Sequence, residues 1–453
     1  MNIKKTSNYD FENEVVQYKS FVQDFTVKTF KNYDQLTEKI ELTEKINDLI
    51  SGKIVNNSEN QSALHPTYRS YGNSKKTPEH IISAETKAEE FFIESMNHCI
   101  KKGFDSMHII NIGIGGSYEG PKLLLESIND PLILKQSSKS LKVRYDFITG
   151  SDTSEFNYKL KFLESKNTFF IVSSKSFTTD ETIDVLKKAF DWSGDKKKFI
   201  AITANPNEAK KYGIKNIISF DKEIGGRYSI WSPMTQFHLF GKKRIEFLKG
   251  GHTADVDIIK NKKYLNFIKK LSFIDIYLNS HGKNARAIFS YIWNLRSLPN
   301  YLQQLEMESL GKHANPESRF KNTGQIIFGG YGPTAQHSYF QLLHQGTQEI
   351  CADIISTSDD EQSLSVAQAI TQSKLLANGE NEIKLENEFK INGNVPTNLF
   401  LMKKFNAFNL GYLIATWEYR TFITATMLDI NPFDQFGVNA AKIYTKQYLA
   451  SKD

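Results

Sequence analysis

The chain has only 2 cysteines in 453 residues, Cys99 and Cys351, too few for a disulfide framework. Both sit among apolar neighbours, so each is expected to be a buried free thiol in a reducing compartment. No segment approaches the roughly 18 uninterrupted apolar residues of a membrane span. Residues 1–10 are polar and lack the apolar stretch of a signal peptide. A cytoplasmic protein is therefore expected, with no membrane partner. The sequence also lacks a strong charge bias: 57 Lys+Arg against 51 Asp+Glu leaves +6. That small excess suits an anionic small molecule and gives no case for nucleic acid. The basic runs at 196–198 and 260–263 read as solvated surface. The sequence contains no H-E-x-x-H zinc pattern and no G-x-x-x-x-G-K nucleotide loop. No metal is inferred.

At 40% hydrophobic and 24% charged residues the composition is ordinary for a globular protein. The length exceeds what one core organises, so two or three domains are expected. Residues 1–60 read as a charged helical extension, with a six-residue echo at 36–41 and 42–47 that suits an amphipathic helix. From about 105, short apolar runs alternate with helical patterns. The runs at 108–112, 143–148, 168–172, 199–203 and 216–220 predict buried strands of a doubly wound, mostly parallel sheet. A second set predicts strands at 286–292, 325–328 and 350–356, with helices near 296–308, 336–346 and 359–376. The stretch at 250–284, opened by Gly250-Gly251, reads as a connector. The division expected is a 1–60 extension, domains at 61–250 and 251–430, and a C-terminal helix at 431–453 carrying Lys442.

Six segments carry polar residues in patterns that suit chemistry. Ile112-Gly113-Ile114-Gly115-Gly116-Ser117 follows a strand, and its glycines let backbone N–H groups approach an anion. Tyr118 stands where a dinucleotide fingerprint needs glycine. A plain turn, a sugar-phosphate loop and a dinucleotide site all stay open locally. Ser173-Ser174-Lys175-Ser176-Phe177-Thr178-Thr179 gathers hydroxyls and a lysine where a helix begins, more than a capping turn needs. Gly225-Gly226-Arg227-Tyr228-Ser229 can turn a guanidinium toward a developing oxyanion, or be an ordinary turn. In 303–309, Gln304 and Glu308 stand four apart on one helix face, while Glu306 points elsewhere and is expected in solvent. His337 and His344 lie seven apart, on similar faces if their segment is one helix; His344 reads as structural. Gln435 and Lys442 share a face if their segment is helical.

Taken in order, these segments resemble the glucose-6-phosphate isomerase (phosphoglucose isomerase) family, in its shorter bacterial form. The family wording G-I-G-G-S, S-K-T-F-T-T, G-G-R-Y-S, Q-Q-L-x-M-E-S-x-G-K, Q-H-x-x-x-Q-L-x-H-Q-G-T and F-D-Q-x-G-V recurs here between about 54 and 448. The resemblance implies two SIS-type α/β domains, each a mostly parallel doubly wound sheet sandwiched by helices, with helical extensions at both ends. It implies a homodimer with an active site between domains and shared between subunits, acting on a hexose 6-phosphate without a cofactor. Glu308 would carry the proton between C2 and C1. His337, reaching the neighbouring subunit's site, and Lys442 would open the sugar ring, and Arg227 would stabilise the enediolate. Gly116, Ser117, Ser174, Lys175, Ser176, Thr179, Gln304 and Gln435 would bind substrate. Departures from the family wording are Ser176 for threonine, Leu310 for asparagine, the 330–335 loop, Phe436 for tryptophan, Asn439 for glutamate and Gln61 for arginine. A sugar-phosphate sensor without catalysis, or an isomerase also using mannose 6-phosphate, are the alternatives.

Overall fold

The computed structural model describes residues 9–71, 79–128, 133–136, 139–359, 362–384 and 386–451. The chain divides into two compact units: unit 1 is 1–66 with 249–453, and unit 2 is 67–248. The chain opens with β1 (Phe11–Glu12), β2 (Val16–Ser20), α1 (Val27–Lys39) and α2 (Leu42–Ile50), then β3 (Ile54–Asn56), β4 (Gln61–Ser62) and α3 (His65–Ser70). Next come α4 (Glu79–Lys102), β5 (Ser106–Ile112), α5 (Glu119–Ile128), β6 (Ile133–Gln136) and β7 (Lys139–Ile148). They are followed by α6 (Thr153–Leu160), β8 (Thr168–Ser173), α7 (Asp180–Ser193), β9 (Phe199–Thr203), α8 (Pro206–Lys211) and β10 (Asn216–Ser219). The chain continues through α9 (Gly241–Lys260), α10 (Lys262–Ser280), β11 (Ala285–Ser290), α11 (Leu298–Leu310), β12 (Ile326–Tyr331), α12 (Gly332–Gln336) and α13 (Phe340–Gln345). It ends with β13 (Ile350–Thr357), α14 (Leu364–Asn378), β14 (Thr397–Met402), α15 (Ala407–Leu428) and α16 (Asn439–Ala450).

In unit 2 the strand order is β10-β9-β8-β5-β7-β6, with every pair parallel except β6 on β7. β8 and β9 are buried at every position, as a sheet covered on both faces requires. Phe170 and Phe199 stack at 4.6 Å across them. Without the antiparallel edge, the order is the 2-1-3-4-5 winding of flavodoxin-like folds. The winding reverses between β5 and β8, which opens a crevice beyond their carboxyl ends.

In unit 1 the order is β1-β2-β14-β13-β11-β12. The last four strands of that order are parallel, and the β1–β2 hairpin adds antiparallel to β14 with Tyr18 opposite Phe400. One face, with Ala287, Phe289, Ile354 and Leu399, packs an apolar core that includes Ala369 and Leu376 of α14. The side chains of Arg286, Asp353 and Asn398 join a buried polar network with groups from α10, α11 and α15.

Two long helices, α9 and α10, replace the expected connector at 250–284. Gly250 lies inside α9, where a Cβ would overlap the Phe408 carbonyl of α15, so the glycine permits close helix packing. The 1–60 segment is not a purely helical extension: Val16 and Tyr18 are buried in alternation on β2, and β14 supplies its ladder. The six-residue echo splits between α1 and α2, because Glu41 turns the chain through a left-handed φ of 53°. Lys198 of the 196–198 run is buried, its ammonium held by the Ser165 carbonyl.

Candidate functional site

The glycine-rich and hydroxyl-rich loops of unit 2 lie at its winding reversal. The glycine turn follows β5 and the hydroxyl loop follows β8, the adjacent strand. Gly115 takes φ 60°, and a Cβ on Gly116 would overlap the Gly226 carbonyl. Only glycine at 116 lets the 3₁₀ turn Gly115–Ser117 lie against the 3₁₀ turn Gly226–Trp231, which carries Arg227. Ser229 Oγ donates to the Gly116 carbonyl at 3.2 Å, and Asn111 Nδ2 donates to the Ser117 carbonyl at 3.1 Å. Ser173 Oγ in turn donates to Asn111 Oδ1 at 2.9 Å. Thus the first and third motifs share one packed surface.

In the hydroxyl loop, Ser174 Oγ accepts from the Phe177 amide at 3.1 Å and lies 3.5 Å from Thr179 Oγ1. That bond holds Phe177 at a left-handed φ of 56°. Ser176 Oγ accepts from the Thr178 amide at 3.2 Å and from its hydroxyl at 2.9 Å. The Lys175 carbonyl accepts from Thr203 Oγ1 at 3.0 Å, tying the loop to the end of β9. Thr179 is the N-cap of α7 but its hydroxyl does not cap the helix. Ser174 is buried, Ser117, Lys175 and Thr179 are half-buried, and Ser176 is exposed. Arg227 is 2% exposed, so its charge acts in a low-dielectric setting where electrostatic effects are strong.

In unit 1, α11 presents Gln304 and Glu308 on one half-buried face, as their spacing predicts. Gln304 Nε2 donates to Glu308 Oε1 at 3.1 Å. Glu308 lines a cleft of about 990 Å³ with Lys312, Asp429, Asn431, Asp434 and Gln435 among its walls. That volume suits a small-molecule site. Lys312 Nζ lies 3.0 Å from Asp434 Oδ1, and Ser58 Oγ donates to Asp434 Oδ2 at 2.7 Å. Asn431 Nδ2 donates to Ser58 Oγ at 2.7 Å. This polar wall escaped the sequence reading, although Lys312 and Asp434 lie inside segments singled out for Glu308 and Gln435.

Other expectations for this unit change. Gln435 precedes the 3₁₀ turn Phe436–Val438, outside α16, so it and Lys442 do not share one helix face. Gly437 falls inside that turn, and α16 begins only at Asn439. Lys442 is exposed on α16 and is not among the residues lining the cleft. His337 sits exposed at the break between α12 and α13, where its amide closes α12 on Thr334 and Ala335. The expected helix at 336–346 is therefore interrupted. His344 faces Gln372 at 3.0 Å, and burial lowers its pKa, in keeping with a structural role. Glu306 is 3% exposed instead of solvated, because Arg286 and Trp417 meet its carboxylate inside the unit. Among the described residues, no group of three or more His, Cys, Asp or Glu is arranged to hold a metal. Among them, too, no helix is long and apolar enough to cross a membrane.

Comparison with known proteins adds a family. The family model described as phosphoglucose isomerase matches residues 19–452. A glucose-6-phosphate isomerase from Wigglesworthia glossinidia brevipalpis is 34% identical over 475 aligned residues, covering 94% of this chain and 84% of the relative. One from Legionella pneumophila (strain Paris) is 33% identical, with 92% and 86% covered. Among solved structures, a glucose-6-phosphate isomerase from Chlamydia trachomatis D/UW-3/Cx superposes with a TM-score of 0.82 at 24% identity. It covers 97% of this chain and 89% of its own, and it supports the fold.

Proposed function

Because the chain belongs to the phosphoglucose isomerase family, we infer that it interconverts glucose 6-phosphate and fructose 6-phosphate. The observation that carries the reading is the placement of the 113–117 turn and the 173–179 loop at the winding reversal of unit 2. Open α/β sheets bind ligands at that point. The Gly116 backbone, Ser117, Ser174, Lys175, Ser176 and Thr179 grip the phosphate, the end of the sugar that does not react. Remote binding of this kind positions the reacting carbons.

Glu308 removes the C2 proton of the open-chain aldose. The C–H electron pair becomes the C1=C2 bond of a cis-enediolate, and charge moves onto O1. Glu308 then returns the proton to C1 while a hydroxyl proton passes from O2 to O1. The exchange is internal to the sugar and balances without an outside oxidant. Gln304 holds the Glu308 carboxylate in place, and Gln435 meets sugar hydroxyls from the cleft wall. Arg227 stabilises the enediolate without giving up a proton. His337 and Lys442 exchange protons with the ring and carbonyl oxygens during ring opening.

A homodimer fits the position of His337. The Ile327 amide meets Met307 Sδ at 3.5 Å, which places the Glu308 end of α11 beside the start of β12. His337 follows the other end of that strand. The five steps along this six-residue strand separate its two ends by about 17 Å. His337 is thus better placed to serve a neighbouring copy. α16 is exposed along its whole length and carries Ile443, Tyr444, Tyr448 and Leu449, which supports the same reading. We place the enzyme in the cytoplasm, a reading supported by its two buried free thiols.

A coupled assay tests the function. Purified protein is expected to convert fructose 6-phosphate to glucose 6-phosphate in buffer containing a metal chelator. No turnover would overturn the enzyme reading and leave a sugar-phosphate sensor. Full activity in a strict monomer would overturn the shared role of His337.

A further inference from the structure

α11 carries two carboxylates, Glu306 and Glu308, in opposite surroundings. Residues two apart on a helix point about 200° away from each other. Glu308 faces the cleft, whereas Glu306 enters a buried group of charges. Arg286 of β11 reaches both Glu306 and Asp275 of α10. Arg420 of α15 grips Asp275 with two bonds, of 2.7 and 2.6 Å, and Asp353 of β13 with one of 2.7 Å. Asn398 of β14 donates to Asp353 at 2.9 Å, and Tyr18 of β2 donates to Asn398 at 2.7 Å. Trp417 Nε1 donates to the other Glu306 oxygen at 3.2 Å.

Such a network is a poor source of stability, because desolvating charges cancels most of their attraction. Its better-attested use is to select one arrangement of the elements it joins. Here those elements are β2, β11, β13, β14, α10 and α15, with α11 held through Glu306. Leu302 and Leu305 set the depth of α11, and Gln303 adds a neutral bond to the Ile327 carbonyl at 2.7 Å on the rim; Glu306 is the buried charged anchor of the helix. Turning α11 by about 10° would move a carboxylate at its rim by about 1 Å. A displacement of about 1 Å at a reacting group can cost on the order of 100-fold in rate.

We propose that Glu306 is a positioning residue: its bonds to Arg286 and Trp417 fix the rotation of α11 and so aim Glu308 at the substrate carbons. The inference rests on Glu308 as the proton carrier. Burial raises the pKa of Glu306, whereas Asp275 is lowered: the two guanidiniums outweigh its burial. The same charges that hold the helix are thus distributed unequally around it.

The test is a double-mutant cycle on fructose 6-phosphate turnover. Glu306→Gln keeps the side-chain shape but loses the charge toward Arg286. It is expected to lower kcat about 10- to 100-fold while KM stays within about 3-fold, since the phosphate grip is untouched. Added to Glu308→Gln, it should change the residual rate by less than about 2-fold, because there is no base left to aim. Equal losses in both backgrounds, or a folded Glu306→Gln enzyme with normal kcat, would overturn the proposal. Should Glu306→Gln fail to fold, Trp417→Phe removes only the indole donor. A fall in kcat of about 2- to 5-fold, absent in the Glu308→Gln background, is then expected, and unchanged kcat would overturn the idea. If Glu308→Gln itself keeps normal kcat, the fault lies with the assignment of the base and not with the clamp.

Discussion

The two units share a winding and differ in where they spend polar residues. Both place parallel strands in a 2-1-3-4 order with an antiparallel addition at one edge. Unit 2 concentrates glycines and hydroxyls beyond the strand ends, in the 113–117 and 173–179 loops. Beneath its helices it keeps a neutral histidine: His238 stacks on Phe147 at 5.5 Å, and among the described residues neither ring nitrogen has a hydrogen-bond partner. Unit 1 instead buries paired charges, and its candidate base stands near the C-terminal end of α11. One winding can thus present glycines and hydroxyls at its strand ends or hold a carboxylate on a helix flank. The topology permits both, and the side chains decide which.

The largest expected effect separates the two roles. Glu308→Gln should lower kcat at least 1,000-fold with KM for fructose 6-phosphate within about 3-fold, measured by the coupled assay. Near-normal kcat would remove the base from unit 1 and break the contrast. Gly116→Ala should act the other way. Its Cβ meets the Gly226 carbonyl, so the two 3₁₀ turns must separate. KM should rise about 10-fold or more, with a smaller fall in kcat. Unchanged KM would show that this turn does not touch the phosphate.

The smallest effect concerns the buried histidine. Burial lowers the pKa of His238 to about 3 from an ordinary 6.5, so the ring is neutral in the fold. Above pH 6.5 its contribution is constant. As pH falls below 6.5 the unfolded chain takes up a proton that the folded chain refuses, so stability drops until about pH 3. His238→Phe should flatten this drop by about 2 kcal/mol between pH 6.5 and pH 5, read from urea unfolding. A slope equal to that of the parent protein would mean that the ring finds a proton in the fold.

Much of this arrangement was legible in the residues. Strands such as β8 and β9 announce themselves as apolar runs bounded by polar turns, and their loops carry the hydroxyls and glycines. β2 was not legible, since Val16 and Tyr18 alternate over only five residues and their partner β14 lies more than 370 residues away. Helix spacing separates Glu306 from Glu308, but the burial of Glu306 was not legible. Its counter-charge comes from Arg286, which reaches the helix only in the folded unit. At His337, Gly332-Pro333 starts a short helix that ends before the histidine, which a seven-residue spacing hides.

The pairing of β2 with β14 also has a consequence for how the protein is made. Unit 2 is one uninterrupted stretch of chain and can fold as soon as it leaves the ribosome. Unit 1 must keep its first strands waiting until residue 402 has been synthesised, because Val16 finds its ladder partner only at Met402. Its sheet closes a loop of several hundred residues, a slow step by topology alone. During that interval the short β1–β2 hairpin has an unpaired edge and alternating apolar side chains, the kind of segment that nascent-chain chaperones shelter.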